Sequence, residues 1–200
     1  MNNNLIKNIC VFCSASDHLD EIYYKDAKEL GTLIGKNNFN IVYGGSTLGM
    51  MWACASEVKA HGGRVFGVMP KKLIEMGCRT DNCDEFYSAE GMRDRKEKMD
   101  KISQAVIVMA GGFGTLDEFA EMFVQKQLGY NKKPIVVLNT NGYYDSLLDF
   151  FNKIVDEKFA NEFARKNIIY VAKTPQEAIE YIKNYKEPDF TPSKHEIYAR

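Results

Sequence analysis

Residues 105–118, AVIVMAGGFGTLDE, constrain the fold of this chain more than any other segment. An apolar run from Ala105 to Met109 leads into a glycine turn, and the start of an acidic helix follows. Such a run predicts a strand buried on both faces, as in the parallel sheets of α/β proteins. Because glycines adopt backbone angles closed to other residues, the N–H groups of the turn can approach an anion closely. The segment therefore predicts a phosphate site between a strand and a helix.

The candidate phosphate ligands are main-chain groups in this turn, at Gly111, Gly112, Gly114 and Thr115. Thr115 is expected to cap the helix, whose first turn offers unsatisfied N–H groups and the positive end of the helix dipole. Glu118 follows within one turn. Its carboxylate either acts on the sugar of a bound nucleotide or only complements the helix dipole, and this segment leaves both readings open.

A second glycine turn follows another apolar run, at Gly44, Gly45 and Ser46. Neither turn has the GxGxxG spacing of dinucleotide-binding proteins or the lysine of a P-loop, and glycine turns also allow tight packing without a ligand. Loops at the carboxyl ends of neighbouring parallel strands converge on one crevice. We therefore expect the two turns to form one shared site.

Strand-like and helix-like segments alternate along the chain. Strands are predicted over residues 9–13, 40–43, 64–68, 105–109, 134–138 and 168–171, and helices over 21–35, 50–60, 93–103, 116–128, 143–155 and 175–184. This alternation predicts βαβ units and a doubly wound parallel sheet with helices on both faces, a three-layer α/β/α fold. A chain of 200 residues with 45% hydrophobic residues suits a single domain over residues 1–200, with polar terminal extensions at 1–4 and about 186–200.

Composition limits the partners. A net charge of −1 lacks the basic excess of a general nucleic-acid binder, so a small molecule is the expected ligand. No apolar run approaches a membrane span and no secretory segment is recognisable, which predicts a cytoplasmic protein without membrane contact. An odd number of cysteines, five, suits reduced thiols.

The cysteines and histidines do not predict a metal site. Cys10 and Cys13 have CxxC spacing but lie within a predicted strand, where a buried structural role is expected. Cys78 and Cys83, with aspartates nearby, are a weak alternative as metal ligands. The three histidines are scattered and form no ligand pair, so no catalytic metal is indicated.

A charged segment, EGMRDRKEKM at residues 90–99, opens the helix before the phosphate-site strand. Asp94 and Lys98 lie one turn apart and predict a weak ion pair of about 0.3 kcal/mol on a solvated face. For Arg95, a functional role is a stronger alternative to a place on this solvated face. From a helix start in the same crevice, its guanidinium is able to reach a phosphate or a sugar.

Together, Gly44-Gly45 with Gly49, MRDRKEKM and GGFGTLDE resemble the "lonely guy" proteins, which are cytokinin riboside 5′-monophosphate phosphoribohydrolases once described as lysine decarboxylases. The resemblance extends from VFCSAS at residues 11–16, through GRVFGVMP at 63–70, to residues 127–150. It implies a Rossmann-like fold and a homodimer. It also implies hydrolysis of the N-glycosidic bond of a purine nucleoside 5′-monophosphate to free base and ribose 5-phosphate, without an organic cofactor.

The resemblance assigns roles to particular positions. Arg95 and Glu118 match the catalytic arginine and glutamate. The matching substrate-binding positions are those of the phosphate loop, the first glycine loop and two residues flanking the arginine: Gly111, Gly112, Gly114, Thr115, Gly44, Gly45, Ser46, Met92 and Lys96. Three positions depart from the family pattern: Ala110 replaces a proline, Arg93 a histidine and Ser14 a glycine. None of these changes removes a catalytic group.

Two alternatives to this function stay open and one is disfavoured. A carrier of the same fold, for a nucleotide or a molybdopterin-type cofactor, would use the glycine loops without hydrolysis. A plain AMP nucleosidase would share the ribose 5-phosphate half of the substrate. Lysine decarboxylation usually needs pyridoxal phosphate on a lysine, and no position in the sequence marks such a lysine.

Overall fold

The computed structural model of this chain describes residues 6–186, except for the side chains of residues 163–165. The terminal extensions predicted at residues 1–4 and beyond 186 lie outside this range. The strands are β1 Asn8–Phe12, β2 Asn40–Tyr43, β3 Val65–Pro70, β4 Glu85–Ala89, β5 Ala105–Val108, β6 Ile135–Leu138 and β7 Tyr170–Ala172. The helices are α1 Glu21–Lys36, α2 Gly49–Ala60, α3 Lys71–Glu75, α4 Met92–Ile102, α5 Phe113–Gln127, α6 Asp145–Asp156, α7 Glu162–Asn167 and α8 Pro175–Lys183.

The strands form one seven-stranded sheet in the order β4-β3-β2-β1-β5-β6-β7, and every pair is parallel. From the central strand β1 the chain moves outward to β4 and then returns to the other side of β1 as β5. This reversal of direction is the mark of a doubly wound sheet, as the alternation of elements predicted. In such sheets ligands bind beyond the carboxyl ends of the strands at the point of reversal, here between β1 and β5.

Two apolar cores separate the sheet from its helices. One core contains buried side chains of α1, α2 and α8, and the other contains those of α4 and α5 together with apolar side chains of α6. Because successive side chains of a strand point to opposite faces, Ile9 and Val11 enter the first core while Cys10 and Phe12 enter the second. The predicted three-layer α/β/α architecture is therefore confirmed.

The elements that the sequence did not predict are short or polar. Strand β4, EFYSA, lies at the edge of the sheet, and only Ala89 in it is fully buried. An edge strand lacks the continuous apolar run of a central parallel strand, so its pattern is weak. Helices α3 and α7 have five and six residues, too few to show a helical period. Within residues 6–186, no helix combines the length and hydropathy needed to cross a bilayer.

Candidate functional site

The two glycine turns lie on either side of the end of β1. The first follows β2 and the second follows β5, and both strands pair with β1. The backbone of Ser14, just beyond β1, bonds to the second loop and to α2, the helix after the first loop. Its N–H donates to the carbonyl of Ala110 at 3.2 Å, and its carbonyl accepts from the N–H of Met51 at 3.3 Å. We expected the two turns to follow neighbouring strands. They follow β2 and β5 instead, which are separated by β1.

The second glycine turn ends at an uncapped helix. Gly112 is the residue before α5, and no side chain caps the first N–H groups of the helix. A Cβ atom built on Gly112 or on Gly114 would have no neighbour within 4 Å, so the surface over this helix start is open. Unsatisfied N–H groups at the positive end of a helix dipole form an anion site. The open helix start is therefore suited to an anion, and the phosphate site at this loop stays a prediction.

Thr115 does not cap this helix, and that prediction is wrong. Helix α5 begins at Phe113, so Thr115 lies inside its first turn and is buried. Its side chain packs against Gly111, where a Cβ atom would come within 2.2 Å of the Thr115 hydroxyl oxygen. Gly111 is therefore required for packing, and Gly112 and Gly114 leave the helix start accessible.

The first glycine turn makes room for Arg95. A Cβ atom at Gly44 would lie 2.8 Å from Nη2 of the Arg95 guanidinium. Gly45 adopts a positive φ of 75°, which favours glycine, and Ser46 accepts a hydrogen bond from the N–H of Leu48 at 3.2 Å. This turn therefore packs beside a candidate catalytic side chain.

The start of α2, after the first turn, already has an anion of its own. The carboxylate of Asp17 accepts a hydrogen bond from the N–H of Gly49 at 2.7 Å. A negatively charged side chain at this position satisfies the helix start and repels a phosphate. Of the two glycine loops, the one before α5 is therefore the better phosphate site.

Arg95 and Glu118 come from different helices and meet at this edge of the sheet. The Arg95 Nη1 donates to a carboxylate oxygen of Glu118, and its Nε donates to the carbonyl of Val68 at 3.1 Å. The pair is buried, with side chains 7% and 4% exposed. Helices α4 and α5 pack on the same face of the sheet, which brings together two residues that are 23 positions apart.

The environment of Glu118 opposes its negative charge. Burial raises the pKa of Glu118 above its ordinary value, and the Arg95 guanidinium acts in the opposite direction. A buried ion pair contributes little to stability because both charges lose their water. A perturbed carboxyl with a specific charged partner in a cleft is a candidate functional group.

Lys96 is bound by carboxylates of α5. Its Nζ lies 2.9 Å from Oδ1 of Asp117 and 2.6 Å from Oε2 of Glu121. The ammonium group predicted to contact a nucleotide is therefore engaged in ion pairs beside Arg95 and Glu118.

Other residues of the charged segment face outward. Met92, the first residue of α4, is 44% exposed. The pair predicted on the solvated face is present, with Nζ of Lys98 2.8 Å from Oδ2 of Asp94. Arg93, which replaces a histidine of the family pattern, is exposed.

Two tyrosines at the start of the helix predicted over residues 143–155 also contact this site. Helix α6 begins at Asp145, after a 3-10 turn at Thr140–Gly142, so Tyr143 and Tyr144 precede it. The Tyr143 hydroxyl donates to the carbonyl of Gly111 at 2.7 Å, and the Tyr144 hydroxyl donates to that of Met109 at 2.8 Å. The only available signal was the pair of tyrosines directly after a glycine.

The cysteines lie apart from this edge or are buried. Cys10 and Cys13 enter opposite cores, as expected from their spacing, and burial raises the pKa of both thiols. The Sγ of Cys83 lies 3.6 Å from the hydroxyl of Tyr43. In the described part of the chain, no three histidine, cysteine, aspartate or glutamate side chains gather as a metal site would require.

One buried lysine lies far from the glycine loops. Burial lowers the pKa of Lys126 to about 8, and its ammonium lies 5.3 Å from the centre of the Tyr185 ring. Lys126 is near the end of α5, eight residues beyond Glu118, which is about 12 Å along a helix. Its position does not favour a Schiff-base role at the candidate site.

The fold defines an open, doubly wound α/β protein, a class whose members bind ligands beyond the carboxyl ends of the strands where the strand order reverses. A family model described as possible lysine decarboxylase matches residues 51–182. The chain belongs to this family, the lonely guy family, whose curated members carry the name cytokinin riboside 5′-monophosphate phosphoribohydrolase.

Two relatives illustrate the degree of similarity. A probable cytokinin riboside 5′-monophosphate phosphoribohydrolase of Oryza sativa subsp. japonica is 38% identical over 179 residues, 90% of this chain and 73% of the relative. A cytokinin riboside 5′-monophosphate phosphoribohydrolase of Arabidopsis thaliana is 39% identical over 180 residues, 90% of this chain and 84% of the relative.

Solved structures of the same fold include molybdenum cofactor proteins. The molybdenum cofactor binding protein of Rippkaea orientalis has a TM-score of 0.67 at 25% identity and covers 89% of this chain and 96% of its own. The molybdenum cofactor carrier protein of Chlamydomonas reinhardtii has a TM-score of 0.66 at 23% identity, with the same coverage. The second likeness establishes the fold alone.

Proposed function

We propose that this protein hydrolyses the N-glycosidic bond of a purine nucleoside 5′-monophosphate, giving the free base and ribose 5-phosphate. The observation that carries the proposal is the buried contact between Arg95 and Glu118 beside the open start of α5. Membership of a family of phosphoribohydrolases supports it.

The start of α5 suits the 5′-phosphate. Its N–H groups around Gly112 and Gly114 are accessible, and Thr115 completes the first turn. Glu118 lies three residues after Thr115 on the same helix, a distance of about 4.5 Å along the helix axis. A phosphate bound at the helix start would therefore place the attached ribose near the Glu118 carboxylate.

The reaction breaks the bond between C1′ of the ribose and a ring nitrogen of the base, and water supplies the oxygen that joins C1′. Positive charge builds up on the sugar as the bond breaks, and the Glu118 carboxylate stabilises it and orients the attacking water. The base leaves with the electron pair of the broken bond and takes up a proton. The second product is ribose 5-phosphate.

Arg95 serves this carboxylate and the substrate. Burial disfavours the ionised form of Glu118, and the Arg95 guanidinium stabilises that form. The guanidinium is itself held in position by its hydrogen bond to the carbonyl of Val68. We propose that it also contacts the phosphate or the departing base. Lys96, bound by Asp117 and Glu121, joins α4 to α5 at the same point.

We also propose that the protein acts on AMP as well as on cytokinin nucleotides, and that it works as a homodimer. The support for a dimer is an apolar cavity of about 600 Å³ between α5 and α6. Val124 and Phe159 line this groove and are 48% and 81% exposed. Large exposed apolar patches are typical of protein contact surfaces.

We further propose a cytoplasmic location, because the free thiols of the described residues suit the reducing conditions of the cytoplasm.

The test is incubation of the pure protein with AMP and with N6-isopentenyl AMP, following free base and ribose 5-phosphate. Glu118→Gln should lower kcat by at least about 100-fold, the usual cost of losing one charge-stabilising group, while the protein still binds AMP. Glu29→Gln, an exposed carboxylate on α1, is the matched control and should behave as wild type. Tight AMP binding by a wild-type protein that releases no base would contradict the proposal and favour a carrier.

A further inference from the structure

Three consecutive main-chain carbonyls before α5 accept hydrogen bonds. The carbonyl of Met109 accepts from the Tyr144 hydroxyl at 2.8 Å, that of Ala110 from the N–H of Ser14 at 3.2 Å, and that of Gly111 from the Tyr143 hydroxyl at 2.7 Å. These three carbonyls belong to the phosphate loop and to the two residues directly before it. Together these bonds fix the orientation of three successive peptide groups.

The orientation of each carbonyl determines that of the next N–H. A trans peptide group is planar, so its C=O and N–H point in opposite directions, and no cis peptide occurs among the described residues. The Tyr143 bond to the Gly111 carbonyl therefore directs the N–H of Gly112 away from Tyr143. Within residues 6–186 the N–H groups of Gly111 and Gly112 have no hydrogen-bond acceptor, so they are available to an anion.

We propose that Tyr143 is a positioning residue for the substrate phosphate, an inference that rests on the proposed function. Its hydroxyl sets the Gly112 N–H in the direction of the phosphate before the substrate arrives. The ring is fixed by edge-to-face contacts with Tyr23 and Tyr144, whose centres lie 5.9 and 5.0 Å from its own. The hydroxyl therefore acts from a rigid support.

This chain has a particular need for such a restraint. Ala110 stands where the family pattern has proline, whose ring would fix φ at the loop entry. Glycines follow directly at Gly111 and Gly112, and glycine loses more conformational freedom than any other residue when it is ordered. Without proline, the hydrogen bond from Tyr143 is a main source of order in this loop.

The test compares the binding of ribose 5-phosphate with that of adenosine, which lacks the phosphate, by calorimetry. Tyr143→Phe should weaken the binding of ribose 5-phosphate about fivefold, the usual effect of one lost hydrogen bond, and leave the binding of adenosine unchanged. In AMP hydrolysis the same variant should raise KM by a similar factor with little change in kcat. Tyr130→Phe, at an exposed tyrosine outside the site, is the matched control.

A second variant tests the mechanism of the effect. Ala110→Pro in the Tyr143→Phe background should restore the binding of ribose 5-phosphate to within about twofold of wild type, because proline replaces the missing restraint. A folded double variant that binds as weakly as Tyr143→Phe would contradict the proposed role. Equal losses for ribose 5-phosphate and adenosine, or no loss in Tyr143→Phe, would overturn it.

The wild-type protein separates this inference from the function on which it rests. If wild type binds ribose 5-phosphate but hydrolyses no nucleotide, the phosphoribohydrolase proposal fails, and the binding constants of the variants still decide the role of Tyr143. If wild type hydrolyses AMP but Tyr143→Phe binds ribose 5-phosphate as tightly as wild type does, the role of Tyr143 fails and the phosphoribohydrolase proposal stands.

Discussion

Glu118 shows how burial of a single carboxyl affects stability and activity in opposite directions. Its pKa in the folded protein is raised, first by burial, so the folded protein holds this proton more tightly than the unfolded chain does. The stability that this adds is fully present below the ordinary carboxyl pKa and is lost as the pH rises through the raised value. The proposed catalysis needs the ionised form, which appears over the same pH range.

A neighbouring charge offers a way to move this titration. The Asp117 carboxylate raises the pKa of Glu118, so Asp117→Asn should lower that pKa and shift the acid limb of the kcat/KM profile to lower pH. The measurement is a pH profile of AMP hydrolysis. Asp94→Asn, which affects the outward-facing pair with Lys98, should leave the limb in place. A limb that does not move in Asp117→Asn would contradict the assignment of the limb to Glu118.

At the scale of elements, the site depends on the close approach of α4 to the loop after β2. Gly44→Ala would place a Cβ atom 2.8 Å from the Arg95 guanidinium, which bonds to Val68 and Glu118 and has little freedom to move. We expect kcat/KM for AMP to fall at least about tenfold, equivalent to about 1.4 kcal/mol of transition-state stabilisation.

The matched control for this prediction is Gly91→Ala, just before α4. A Cβ atom there would have no neighbour within 4 Å, so activity should stay within about twofold of wild type. Circular dichroism checks that both variants fold. Wild-type activity in Gly44→Ala would show that the guanidinium adjusts without cost.

Local sequence patterns were sufficient for the elements that are long or fully buried. The central strands and helices α1, α2, α4, α5, α6 and α8 were predicted to within a few residues, because the strands are continuous apolar runs and the helices are long segments between them. Arg95 and Glu118 could be proposed from their places near helix starts. The functions of Gly44 and Tyr143 could not, since each depends on a contact with a residue 51 or 32 positions away, Arg95 and Gly111 respectively.

At the scale of the whole molecule, the groove between α5 and α6 leads to a prediction about assembly. Val124→Lys would put a charge into the apolar surface proposed for the dimer, and burying an unpaired charge is costly. We expect wild type to sediment as a dimer and this variant as a monomer, as measured by analytical ultracentrifugation. Leu73→Lys on α3, outside the groove, should remain dimeric. A monomeric wild type at micromolar concentration would exclude the proposed dimer.

The central place of β1 has a consequence for how the molecule moves. This strand pairs on both sides and its side chains enter both cores, so its amide protons are shielded until the whole domain opens. In hydrogen exchange, the amides of Cys10, Val11 and Phe12 should be among the slowest in the protein. The loops at the candidate site are therefore attached to the part of the molecule that opens least often, which keeps the ends of both loops in a constant position.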